Sequence, residues 1–102
     1  MNNYLPDDII ERIILWKEVK DAQLNTIKAE SSFLSIKYVH DRAYENMLEK
    51  HNNYQNSSTE YNKYRFNIAL DYWILLANKY TDKMATLTVT KLDYKLAQSK
   101  VI

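Results

Sequence analysis

The side chains with the most chemical reach in this chain are two histidines, His40 and His51. His40 is followed by Asp41 and, about a helical turn on, by Glu45, a trio that can hold a metal ion or pass a proton. A metal site inside a helical bundle needs Glu-x-x-His spacing repeated on facing helices. No such pair occurs, so His40 is expected to pack, here against Ala69, rather than to ligate. His51 lies in a polar run and is expected to face water. Ser31, Ser32 and Ser35 read as ordinary helical serines. With no cysteine there is no thiolate nucleophile or ligand, and with no glycine there is no phosphate-cradling loop and no nucleophile elbow. The expectation is a protein that is not an enzyme and takes no cofactor or metal.

A second possible chemistry is stacking. Trp16, Tyr61, Tyr64, Phe66, Tyr72, Trp73, Tyr80 and Tyr94, with Lys63, Arg65, Lys79 and Lys91 among them, have the residue types of a base-stacking platform. Most of these aromatics fall on apolar helical rows, which makes core packing the stronger expectation. The net charge of +1 gives no whole-chain case for nucleic acid or an anionic membrane. Charge is divided, however: residues 1–58 carry seven basic and nine acidic side chains, and residues 59–102 carry seven and four. Opposite signs suit pairing between the halves, although each exposed pair contributes little.

The elements that must position these side chains are long helices. With no glycine and only Pro6, the chain lacks the punctuation of tight β-turns. Pro6 fits the first position of a helix, and Asp7, Asp8 and Glu11 put negative charge at the positive end of its dipole. From there a strict heptad seam runs through Leu15, Val19, Ala22, Thr26, Ala29, Phe33, Ile36, His40, Ala43 and Met47. Eight of those ten positions are apolar. The pattern continues without a breaker to about Lys50, with Asn25 and Ser31-Ser32 the only points weak enough to kink. His51 to Ser58 is the one turn-forming cluster, and Ser57 with Glu60 has the spacing of a capping box, so a second helix is expected from about Ser58.

The second seam passes through Phe66, Ala69, Trp73, Leu76, Tyr80, Lys83, Leu87, Thr90, Tyr94, Ala97 and Val101, with nine of eleven positions apolar. Thr86 to Thr90 is rich in β-branched residues and alternates as a strand does, but the heptad register crosses it unbroken. Joined by a short loop, the two helices, each roughly 65 Å long, must lie antiparallel. A loop centred near residue 55 pairs Ala43 with Phe66, His40 with Ala69, Ile36 with Trp73, Phe33 with Leu76, Ala29 with Tyr80 and Thr26 with Lys83. It also pairs Ala22 with Leu87, Val19 with Thr90 and Leu15 with Tyr94. Small residues then meet large ones, which fills space. A shift of one heptad keeps apolar opposite apolar, so that alternative stays open. Lys83 is expected to lift its ammonium out of the seam.

The apolar surface is wider than one seam. Ile10, Ile13, Leu24, Ile27, Leu34, Tyr38 and Leu48 form a second row on the first helix, and Ile68, Tyr72, Leu75, Val89 and Leu96 form one on the second. A lone hairpin would leave both rows wet. They are the candidate partner interface.

Leu5-Pro6-Asp7-Asp8-Ile9-Ile10 followed by Ile13 resembles the opening of an F-box, a short helical motif. That resemblance implies three short helices and docking to a ubiquitin-ligase adaptor. It covers residues 5–13 alone, and the motif's later leucine and tryptophan positions are not matched.

The fold class expected is all-α, one domain over residues 1–102. It is an antiparallel two-helix hairpin with helices over about 6–50 and 58–100, a lead at 1–5 and an inter-helix loop at 51–57. Packing is coiled-coil-like, completed to a bundle by oligomerisation or a partner. The function expected is a non-enzymatic structural or assembly role through helix–helix protein–protein interaction. The alternatives are a small adaptor or inhibitor docking a larger protein through the apolar rows, and a weak nucleic-acid binder using the basic half. The longest apolar run, Tyr72 to Ala77, is far short of the ~20 residues a membrane span needs. No basic-then-apolar signal opens the sequence, so an intracellular site is expected, cytoplasmic or within a viral assembly. The bias towards Lys, Asn, Ile and Tyr suits an AT-rich genome, as in some viruses and low-GC bacteria.

Overall fold

The computed structural model describes residues 6–101. The lead expected at residues 1–5, and Leu5 of the F-box resemblance, lie outside them. Two helices make up the hairpin: α1, Asp7–Asn56, and α2, Glu60–Ser99. Pro6 sits at the N-terminal boundary with φ −56°, and its carbonyl accepts from Ile9 N at 3.0 Å and Ile10 N at 3.1 Å. Asp7 and Asp8 occupy the first turn, where their charge meets the helix dipole. One uninterrupted helix from Asp7 is not the three short helices of an F-box.

Neither Asn25 nor Ser31-Ser32 interrupts α1. Ser35 Oγ donates back to Ser31 O at 3.1 Å, so α1 continues through the serines. The β-branched stretch of α2 is helical as well. Thr81, Thr86, Thr88 and Thr90 each return the hydroxyl proton to a carbonyl three or four residues earlier, at 3.0–3.1 Å. Their polar group is thereby satisfied without leaving the helix.

The loop is shorter and later than composition suggests. Residues 51–56, expected in the loop, extend α1, and the connection is Ser57–Thr59. Packing explains the difference. His51 and Tyr54 both lie against Phe66, with ring centroids 5.1 and 6.3 Å away, so tertiary contact overrides the turn preference of Asn52, Asn53, Gln55 and Asn56 around them. His51 is therefore half-buried rather than solvated. At the end of α1, Asn53 O accepts from Ser57 N at 3.0 Å and Ser57 O from Thr59 N at 2.8 Å, and Asn62 Nδ2 adds a second donor to each, at 3.4 and 2.8 Å. Ser58 Oγ donates to Tyr54 O at 3.2 Å.

The cap of α2 is Thr59, whose hydroxyl accepts from Asn62 N at 3.1 Å; the Ser57–Glu60 box does not form because the helix starts later. Replacing Thr59 by alanine is expected to cost about 1 kcal/mol of unfolding free energy, read from a urea midpoint. A change below about 0.3 kcal/mol would show that the turn is held by Asn62 alone.

Moving the loop moves the register by one heptad. Thr26 Oγ1 lies 3.2 Å from Thr90 O, so Thr26 meets Thr90 and not Lys83. The same offset sets Met47 opposite Ala69, Ala43 opposite Trp73, Ile36 opposite Tyr80, Ala29 opposite Leu87, Ala22 opposite Tyr94 and Val19 opposite Ala97. Small against large survives the shift because both seams repeat every seven residues. The result is a rod 86 × 22 × 14 Å with a radius of gyration of 23.4 Å, where a compact chain of this length would have about 13 Å. A body 14 Å thick is one helix deep. Neither helix can bury more than the side turned to the other.

Candidate protein-interaction site

The seam consumes the side chains that had chemical potential. Trp73 Nε1 donates to His40 Nε2 at 3.2 Å, and His40 Nδ1 lies 3.0 Å from Asp41 Oδ1. Indole N–H can only donate, so Nε2 is the acceptor and the ring proton sits on Nδ1, facing the carboxylate. An Asp–His pair of this kind orients a general base when a hydroxyl or thiol sits at Nε2. Here Trp73 holds that atom, and the Tyr80 ring stacks on the imidazole with centroids 4.8 Å apart. His40 thus meets Trp73 and Tyr80 rather than Ala69.

Asp41 is exposed, and its carboxyl is held below its ordinary value by the hydrogen bond to His40 and then by that to Lys37. For a depressed acid the stabilisation is present above the ordinary carboxylate value and fades as pH falls below it.

Large side chains of α2 sit as knobs among residues of α1. Trp73 lies between His40 and Tyr44, with centroids at 6.2 and 5.5 Å, and Tyr80 bridges Phe33 at 5.3 Å and His40. Every position of the two seams is buried or half-buried except Lys83, which is exposed. Leu15, Ala22, Ala29, Phe33, Ile36, Phe66, Trp73, Tyr80 and Tyr94 are half-buried, while Ala43, Leu76 and Leu87 are buried. Of the aromatics with stacking potential, Phe66, Trp73, Tyr80 and Tyr94 are thus committed to the seam. Tyr61 stays outside under Arg65, whose guanidinium lies 5.7 Å from the ring centroid and donates to the phenol oxygen at 2.8 Å.

The second rows have the opposite fate. Ile10, Ile13, Leu24, Ile27, Leu34, Tyr38 and Leu48 of α1 are exposed, as are Ile68, Tyr72, Leu75, Val89 and Leu96 of α2. By heptad position the α1 row lies on the side away from α2, and the α2 row lies on a flank of the hairpin. Midway along α1, Ser31 and Ser35 leave a shallow groove walled by Ile27, Leu34 and Tyr38, with Glu30 at its rim. Ile9, Ile14, Trp16, Ile74, Met84 and Leu92 are exposed too and were not assigned to a row by spacing. Their signal was apolar content on a side that a two-helix body cannot cover.

Among the described residues no three His, Asp or Glu side chains gather as a metal site, and no helix is long and apolar enough to cross a membrane. No family model, curated protein or solved structure matches the chain.

Proposed function

We propose that this chain is a structural or assembly protein that acts by helix–helix contact with another protein chain and performs no reaction of its own. One observation carries the reading. Among the described residues, twenty-two large hydrophobic side chains are exposed and only seven hydrophobic residues are buried. The chain exposes 8046 Å², against about 6,100 Å² for a compact monomer of this mass. The excess of roughly 2,000 Å² exceeds the ~800 Å² each partner contributes to a standard interface. An excess of that size is area that a second chain would cover.

A second reading, an adaptor or inhibitor that docks a larger protein, is supported by the α2 row. It lies on a different side of the hairpin from the α1 row and so offers a separate surface to an unlike partner. Isolating the native assembly from its own cells, with its mass and every companion identified, separates the two. A multiple of the chain mass alone favours self-assembly, and a stoichiometric foreign chain favours the adaptor. A lone monomer would contradict both.

A further inference from the structure

We propose that the outer row of α1 is a two-fold, antiparallel interface between two copies of this chain. The inference rests on the assembly reading above and names its partner. The row is antisymmetric in charge about the middle of α1. Moving outward from Ser31, the first residues are apolar on both sides, Ile27 and Leu24 one way and Leu34 and Tyr38 the other. The next pair is basic on the N-terminal side, Lys17 and Lys20, and acidic on the C-terminal side, Asp41 and Glu45. Beyond them the row is apolar again, Ile13 one way and Leu48 the other.

A two-fold axis beside Ser31 therefore sets Leu24 and Ile27 of one copy against Leu34 and Tyr38 of its partner. It sets each lysine pair against an acidic pair, twice over. In an isologous contact every such match is made in both directions. The flank repeats the pattern, since Asp21 comes across from Arg42.

Three further observations support the geometry. Ser31 is the midpoint of α1, Asp7–Asn56, so an axis there overlaps the two helices along their whole length. The groove at Ser31 and Ser35 falls on that axis, where small side chains let helices approach and a partner's large ones insert. Lys17, Lys20 and Glu45 have no ion-pair partner within the hairpin among the described residues, and Asp41 has only Lys37 and His40 of its own helix.

Competing arrangements fare worse. A parallel pairing would set Lys17 and Lys20 against themselves and Asp41 and Glu45 against themselves, and like charges across an interface are costly. The α2 row matches less fully: folded back about the middle of α2 it sets Arg65 opposite Asp93, but it sets Leu75 opposite Asp82 and Lys79 beside its own copy.

Charge exchange tests this on the full chain, read by native mass spectrometry at micromolar concentration. Lys17→Glu with Lys20→Glu is expected to weaken the dimer by roughly tenfold or more, as is Asp41→Lys with Glu45→Lys. All four positions are exposed, so circular dichroism should show unchanged helix in each variant. An equimolar mixture of the two variants is expected to restore a mixed dimer of native strength, because every lysine again faces an acid. A mixed dimer much tighter than the native one would indicate parallel helices and overturn the proposal. Native-strength dimers of either variant alone would place the contact elsewhere, overturning it while leaving self-assembly intact. A monomeric native chain would overturn it as well, and the broader assembly reading would fall with it only if no companion accompanies the chain in its own cells.

Discussion

Trp73→Ala is expected to lower the unfolding free energy by about 3 kcal/mol, the largest effect of any single substitution in the seam. Trp73 is the knob opposite Ala43, between His40 and Tyr44, and alanine there leaves a void that neither backbone can close. It also removes the donor aimed at His40 Nε2. In a domain whose total stability is of order 5–15 kcal/mol, that is a large fraction. Trp73→Phe separates the two contributions. It keeps most of the ring and loses the N–H, so it should cost about 1 kcal/mol. Urea unfolding of both variants measures the pair. A Trp73→Ala loss below about 1 kcal/mol would mean that the seam is not packed as described.

The second large effect concerns association. Ile27 and Leu34 are both 55% exposed in the hairpin, so introducing aspartate at both should change its own stability by less than about 1 kcal/mol. On the proposed two-fold axis the same aspartates come together across the interface, where truncating one central side chain typically costs about 2 kcal/mol. Two such positions in each copy make four in the dimer, and should raise the dissociation constant by at least about a thousandfold. Linkage supplies a second readout, since partner binding makes a melting temperature depend on concentration. The native chain should show that dependence, and the Ile27→Asp, Leu34→Asp variant should lose it. Unchanged association in the double variant would move the interface away from α1.

Much of the fold was legible because it rests on a period. A heptad seam needs no tertiary information to be seen, and Leu15 to Met47 and Phe66 to Val101 both mark the sides that touch. The same period hid the register. Shifting one seam by seven residues still sets apolar against apolar, so only the position of the turn decides, and the turn was misplaced. Asn52, Asn53, Gln55 and Asn56 have turn chemistry, but His51 and Tyr54 on the same stretch pack on Phe66 and hold it helical. Propensity speaks for single residues, and this outcome was set by residues on the far side of the hairpin. The His40–Trp73 bond was invisible for the same reason, since it exists only in the shifted register.

The candidate site was legible in its positions and not in its meaning. Spacing alone marks the row from Ile10 to Leu48. What it means depends on thickness: in a body 14 Å deep nothing inside the hairpin can cover that row. The polar residues that interrupt it, Lys17, Lys20, Asp41 and Glu45, read one by one as an ordinary solvated face. Their arrangement acquires a sense only once α1 is known to run unbroken from Asp7 to Asn56 with Ser31 at its middle.

Sedimentation equilibrium of the purified chain across the micromolar range tests the central claim most directly. A hairpin whose outer row is covered by a second copy should reach twice 12.2 kDa as concentration rises. A mass of 12.2 kDa at every concentration would contradict it.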